Sequence, residues 1–366
     1  MSRVVIKFGS STLTAGTARL SLPHFVEIAR QVSSLSQSGH EVILVSSGAM
    51  AAGKERLNYP QLPREIPAKQ MLAAVGQLRL MAVYEQVFGL YGMTVAQILL
   101  TRADLGDRRR YLNSRNTLMA LLAQNVIPII NENDTVATEE IRVGDNDNLS
   151  ALVANLIDAD TLILLTDQPG LFTADPRRSE DAQLITDITE PDIPESVWKA
   201  AGGTSTGLGT GGMLTKLQAA DLARRSGTMV VIAPGEEANV LTRLAAGEAL
   251  GTRFHPSVTA IESRKRYVLT GGNARGAVSI DAGAARALRK GGSLLAVGMT
   301  AVEKDFDRGD TIRILAADGS ELARGITNYT SADLHRILGR KSDEIESILG
   351  YYYGDEVVHH NNLVLL

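Results

Sequence analysis

Between Asn131 and Leu152 the chain reads NENDTVATEEIRVGDNDNLSAL, a stretch dense in carboxylates and amides. Asn131, Glu132, Asn133 and Asp134 follow an apolar run, Val126-Ile127-Pro128-Ile129-Ile130. Asp145, Asn146, Asp147 and Asn148 then precede a helix-like segment. Beyond the carboxyl end of a strand, such side chains can hold an ammonium group, a metal or a lysine. They also serve as turn formers and helix caps, and Asp147 or Asn148 suits the cap of a helix beginning near Leu149. A cation stands near the end of another apolar run, Val4-Val5-Ile6-Lys7-Phe8, followed by Gly9-Ser10-Ser11-Thr12. Lys7 reads either as a lysine snorkelling from a strand edge or as one meeting a phosphate. In the second case Gly9 lets backbone approach and the hydroxyls donate.

Two further stretches suit anions. Ser46-Ser47-Gly48-Ala49 follows an apolar run and precedes a helix start. The free N–H groups of such a turn fit a carboxylate as well as a phosphate, and a close-packed turn needs the same small residues. Gly202 to Lys216, GGTSTGLGTGGMLTK, leads into the amphipathic LQAADLARRSG. A glycine loop before a helix can bring several N–H groups to a polyphosphate, with Lys216 about one turn inside the helix. The loop is neither GxxxxGK[ST] nor GxGxxG after a strand, so a Walker loop and a dinucleotide fold are disfavoured. A flexible linker is the alternative.

The elements that would position these groups follow from periodicity. Apolar runs predict strands at 4–8, 41–45, 94–100, 126–130 and 161–165, with helices at 22–38, 67–91 and 109–124. Gly39 suits the close of the first helix, and the Met, Leu and Val positions of 67–91 read as core. The alternation predicts an α/β fold, an open and mainly parallel sheet sandwiched by helices. Five strand ends, at Gly9-Ser10-Ser11, Ser46-Ser47-Gly48, Thr101-Arg102, Asn131 to Asp134 and Thr166-Asp167, then converge on one edge.

A chain of 366 residues has room for two domains. Its net charge of −4 lends no global basic field for nucleic acid. The absence of cysteine excludes disulfides, thiolate metal sites and a cysteine nucleophile. No signal-peptide core and no apolar run of about 20 residues is present, which predicts a cytoplasmic protein without a membrane partner. After Gly251-Thr252-Arg253-Phe254-His255-Pro256 the pattern changes to short strands, at 277–281, 293–295, 310–315 and 322–325. The expected organisation is a body at 1–255, a linker at 256–275 and a small β-rich domain at 276–355.

Taken together, Lys7-Phe8-Gly9-Ser10-Ser11, Ser46-Ser47-Gly48-Ala49, Asn131-Glu132-Asn133-Asp134, the run Val143 to Ala151, Leu165-Thr166-Asp167 and Gly209 to Met213 with Lys216 resemble the glutamate 5-kinases of the amino acid kinase superfamily. The likeness runs in order along almost the whole chain. Phe8 departs from the leucine common in that family. Gly276 to Leu288 and Phe306 to Asp310 resemble the PUA domain, which often follows such kinases. The resemblance implies the amino acid kinase fold plus a PUA-like domain. It implies phosphorylation of the side-chain carboxylate of L-glutamate by ATP with Mg²⁺, the first step toward proline. Lys7 and Lys216 would flank the phosphates as catalytic residues and Asp147 would organise them. Ser47, Asp134 and Asn146 would hold glutamate. Lys7, Thr166, Asp167, Thr210, Gly211, Gly212, Met213, Leu214, Thr215 and Lys216 would hold ATP, with no metal ligand on the protein. Proline as a feedback inhibitor and a homo-oligomer, dimer or tetramer, are further implications. Two readings compete: an amino acid kinase with another acidic substrate, and an RNA-binding protein acting through the PUA domain. For the latter, Arg264, Lys265, Arg266, Arg286, Arg289 and Lys290 are candidate phosphate contacts. The negative net charge and the 4% aromatic content count against it.

Overall fold

Parallel strands covered on both faces must be apolar throughout, and the central strands here meet that demand. The computed structural model describes residues 2–62, 65–137, 146–174, 176, 179–202, 212–259 and 274–366. Its strands are β1 (Arg3–Phe8), β2 (Glu41–Ser46), β3 (Val95–Leu100), β4 (Ile127–Glu132), β5 (Thr161–Thr166), β6 (Leu171–Phe172), β7 (Leu184–Ile185), β8 (Asp187–Ile188), β9 (Met229–Pro234) and β10 (Thr252–Phe254). Eight of them form one sheet in the order β3-β4-β2-β1-β5-β9-β10-β8. Neighbours are parallel except β9 with β10. The open, mainly parallel sheet expected from the alternating runs is therefore present. β1 stands at its middle, with β2 on one side and β5 on the other. A crevice opens beyond the carboxyl ends where the chain reverses direction across a sheet in this way.

The helices are α1 (Ser10–Thr14), α2 (Leu22–Gln37), α3 (Ala49–Arg56), α4 (Ile66–Gly89), α5 (Arg102–Gly106), α6 (Arg108–Ala123), α7 (Asn146–Leu156), α8 (Glu195–Ala201), α9 (Met213–Arg224) and α10 (Val240–Ala245). Side chains alternate across a strand. Val4, Ile6 and Phe8 of β1 join a core with Phe25, Ile28 and Val32 of α2 and Tyr84 and Phe88 of α4. Lys7 therefore faces the other side, where it reaches α7. One expectation fails. The helix after the acidic loop begins at Asn146, so Asp147 lies in its first turn and does not cap a helix starting near Leu149. Its carboxylate is drawn to two lysines instead.

By contact the chain divides into two compact units, Met1–Gly106 with Ser114–Thr259 and Asp107–Asn113 with Ala260–Leu366. The second unit holds β11 (Gly276–Ile280), α11 (Ala282–Arg289), β12 (Leu294–Leu295), β13 (Met299–Glu303), β14 (Thr311–Leu315), β15 (Glu321–Ile326), α12 (Ser331–Ile337), α13 (Ile345–Leu349), β16 (Glu356–Val358) and β17 (Leu363–Leu365). Its five-stranded sheet runs β13-β11-β14-β15-β17, and β12 pairs with β16. Asp281 caps α11 by accepting from the Ala284 N–H, and Thr330 with Asp333 forms a capping box on α12. The tyrosines at 351–353 fold back onto this unit. Tyr351 donates to Asp333 at 2.6 Å, and the Arg308 guanidinium lies 3.7 Å from the centre of the Tyr353 ring.

Helices α3 and α4 cross at backbone contact. A Cβ on Gly76 would stand 1.7 Å from the Ala49 carbonyl oxygen, and one on Gly53 would stand 1.9 Å from that of Leu72. Gly76→Ala is expected to lower the unfolding free energy by ~3 kcal/mol, as overpacking against backbone does. Gly89→Ala on the same helix is the control, because its added methyl meets nothing within 4 Å. Urea unfolding of both variants measures the difference.

Candidate active site

The site starts from a charge that sequence spacing alone does not pair. Lys7 near the end of β1, Asp147 in the first turn of α7 and Lys216 in the first turn of α9 meet inside the protein. Lys7 Nζ lies 2.6 Å from Asp147 Oδ1, and Lys216 Nζ lies 3.3 Å from Oδ2. Thr215 Oγ1 also donates to Oδ2 at 2.7 Å. Lys7, Asp147 and Lys216 are 3%, 0% and 6% exposed. Burial alone would push the Asp147 carboxyl up, but Lys7 and Lys216 outweigh it and hold it down to about 2.

Beside this cluster lies a network of amides. Asn146 Nδ2 donates to the Ser46 carbonyl at 3.2 Å, to Ser47 Oγ at 2.9 Å and to Asn131 Oδ1 at 2.9 Å. Ser47 is delivered by the turn after β2, where Gly48 adopts φ 102°, a left-handed conformation natural to glycine. Asp134 stands in the turn after β4, and burial raises its carboxyl above the usual value. A partly buried carboxylate of this kind is suited to an incoming ammonium group.

At the next strand end, Thr166 closes β5 and its hydroxyl donates to Asp167 Oδ1 at 3.1 Å. The Gly235 N–H donates to the Thr166 carbonyl at 2.7 Å. Gly212 caps α9, and Met213, Leu214 and Thr215 begin it. Lys216 sits one turn in, as expected. Thr210 and Gly211, together with Gly209, lie outside the described residues, as do Asp145 and the basic run Arg264, Lys265, Arg266. Arg286 and Arg289 fall in the last turn of α11 and Lys290 at its close, where positive charge complements the helix dipole.

Sequence reasoning missed the supports of this site. Tyr84 pairs with Ser46 Oγ at 2.8 Å and Gln77 accepts from Asn131 Nδ2 at 2.8 Å. Gln70 donates to the carbonyls of Thr135 and Ala137. All three project from α4. The signal that could have found them was their seven-residue spacing within an apolar helix. A cavity of about 350 Å³ elsewhere, lined by Phe8, His24, Glu27, Arg30, Glu236 and Asn239, includes none of Lys7, Asp147 or Lys216. The buried cations, not that cavity, carry what phosphate chemistry requires.

Comparison with known proteins shows the family to which the chain belongs. Residues 2–234 match the amino acid kinase family, and residues 276–349 match the PUA domain. The chain is 55% identical over 364 residues to glutamate 5-kinase of Photobacterium profundum, covering 99% of this chain and 96% of that protein. It is 54% identical over 365 residues to glutamate 5-kinase of Shewanella amazonensis, covering 100% and 96%. Among solved structures, UMP kinase from Bacillus anthracis is similar at TM-score 0.49 and 17% identity, over 70% of this chain and 97% of that one.

Replacing Asp147 by Asn would leave two buried ammonium groups facing a neutral amide. Breaking a buried ion cluster in this way is expected to cost ~3–5 kcal/mol at pH 7, read by urea unfolding. The folded carboxyl titrates at about 2 against an ordinary 3.8. Its contribution is therefore complete above pH ~4 and lost as the pH falls through about 2. Asp147→Asn should lack that limb of the stability profile.

Proposed function

Because the chain belongs to the amino acid kinase family and, within it, to the glutamate 5-kinases, we propose that it transfers the γ-phosphoryl group of ATP to the side-chain carboxylate of L-glutamate. The product is L-glutamate 5-phosphate, and the step opens proline biosynthesis. The buried Lys7–Asp147–Lys216 cluster at the sheet's switch point is the observation that carries the chemistry.

A glutamate side chain has an ordinary pKa of about 4.3 and is already an anion at neutral pH. One of its oxygens forms a bond to the γ-phosphorus while the bond from that phosphorus to the β–γ bridging oxygen breaks. The electron pair leaves on ADP, and no proton moves. No general base is needed. The obstacle is the approach of one anion to another, so the protein's task is charge compensation and alignment. Two lysines and one aspartate leave a net charge of +1 for the phosphoryl group to pass. Asp147 keeps both ammonium groups in fixed positions, which removes reorganisation from the step.

On the acceptor side, Ser47 and Asn146 hold the amino acid and Asp134 pairs with its α-ammonium group. Thr166, Asp167 and the first turn of α9 hold the nucleotide. The Asp147 oxygens are occupied by Lys7, Lys216 and Thr215. Mg²⁺ would accompany ATP and offset part of its phosphate charge, as family membership leads us to expect. The domain limits we favour are 1–255, 256–275 and 276–355. No described helix is long and apolar enough to cross a membrane, and a cytoplasmic location is our reading. Proline feedback at or near the glutamate site, and a dimer or tetramer, are what family membership leads us to expect.

Turnover of ATP with Mg²⁺, with hydroxylamine trapping the acyl phosphate, tests the assignment. A hydroxamate is expected with L-glutamate and not with L-aspartate or N-acetyl-L-glutamate. Product from either of the latter alone discards the named substrate. Lys7→Ala and Lys216→Ala should each lower kcat by roughly 100-fold or more, and normal turnover in either removes that lysine from the reaction. Asp134→Ala should chiefly raise the KM for glutamate. In the unsubstituted protein that KM should rise on acidification sooner than an ordinary carboxylate would dictate, because the raised Asp134 carboxyl takes up its proton early.

A further inference from the structure

Three polar side chains interrupt the buried side of α4 at intervals of seven residues, and each grips a different wall of the amino acid site. Gln70 Nε2 donates to the carbonyls of Thr135 and Ala137 at 3.3 and 3.2 Å, which steadies the turn carrying Asp134. Tyr84 pairs with Ser46, next to Ser47. Gln77 Oε1 accepts from Asn131 Nδ2 at 2.8 Å. Asn131 Oδ1 in turn accepts from the Glu132 N–H and from Asn146 Nδ2, each at 2.9 Å.

The polarity of this relay has one solution. The Glu132 N–H is a backbone donor, so the Asn131 atom facing it must be oxygen. The amino group of Asn131 then faces Gln77, which must present its own oxygen. Asn146 Nδ2 meets Asn131 Oδ1 and the Ser46 carbonyl, both acceptors. The remaining atom, Asn146 Oδ1, is a buried acceptor without a partner among the described residues. Gln77 Nε2 is likewise buried and unpartnered among them. What Gln77 contributes to the relay is therefore its carbonyl oxygen.

We propose that Gln77 is a positioning residue for amino acid specificity. Through Asn131 it holds Asn146 so that Oδ1 accepts from the α-ammonium group of the substrate. This rests on the glutamate reading above. An unpartnered acceptor repels a carboxylate and is satisfied by an ammonium N–H. The site is thus built to reject the dicarboxylate that lacks the amino group, since that analogue leaves Oδ1 and Asp134 unpaired.

The test compares kcat/KM for L-glutamate and for glutarate in the unsubstituted protein, in Gln77→Met and in Gln77→Glu. Met keeps the approximate volume and removes the acceptor; Glu keeps an acceptor oxygen toward Asn131 and exchanges the unpartnered amide nitrogen for a second oxygen, which adds a negative charge when ionised. In Q77M the preference for glutamate should fall by roughly tenfold, the size of one misplaced hydrogen bond. The loss should appear in the glutamate KM, with kcat and the glutarate values little changed. Q77E should keep the preference. A Q77M variant in which both substrates fall together, with the ratio intact, would show a merely structural role and overturn the proposal. Should Q77M fail to fold, Gln77→Leu, which also removes the acceptor without adding charge, takes its place, and the same two outcomes support or overturn the proposal. An unsubstituted protein inactive on glutamate fails at an earlier point. It defeats the substrate reading, and the specificity claim falls with it.

Discussion

The structure depends on one aspartate shared by two lysines. Two buried ammonium groups repel, and neither gains hydration inside a packed interface. Asp147 resolves both problems, because each of its oxygens faces one ammonium group. The cost of burying that carboxylate is what drives the pairing to be so close. Unpaired, it would take up a proton; paired, it stays ionised far below neutral pH. The ion cluster also has a long reach in sequence. It ties the central strand β1 to α7 and α9, which follow it by more than a hundred residues of chain.

The sheet makes that tie possible. β1 is flanked by β2 and β5, and register pairs Phe8 with Ser46 on one side and with Leu165 on the other. The polar ends of three strands therefore come level with one another. Alternation then sorts the side chains. Phe8 and Ile6 go to the α2 and α4 layer, while Lys7 goes to the α7 and α9 layer. A shift of one residue in β1 would put Phe8 beside the buried Asp147 and Lys7 in the apolar core. The register of a fully buried strand is fixed as firmly by the charge as by the hydrophobic residues.

Much of this was legible in the residues. Apolar runs located β1, β2, β4 and β5 to within a residue or two, because strands buried on both faces leave an uninterrupted signal. Lys7 stood out as a cation inside such a run, and the helix after the glycine loop placed Lys216 one turn in. The first turn of α7 was harder. Asp147 has the composition of a cap, and only the third dimension shows that its partners are Lys7 and Lys216. The crossing at Gly53 and Gly76 was hidden for a related reason. A glycine in a helix announces nothing until the backbone it must admit is known. The polar residues of α4 were hidden too. Gln70, Gln77 and Tyr84 repeat every seven residues along a mainly apolar helix, but that spacing names no partner, and which strand ends and turns they reach is decided by packing.

The seven-residue line on α4 separates two jobs. Supports of the proposed acceptor site stand mainly on one helix and on the turns it grips. The two buried lysines stand on β1 and on α9, and the Asp147 they share stands on α7, both helices of the opposite layer. Much of the proposed acceptor site's support could therefore change by rewriting one helical stripe and the turn behind it, with Asn146 beside Asp147 on α7 as the point where the two jobs meet. In that sense the protein is modular within a single sheet up to that residue.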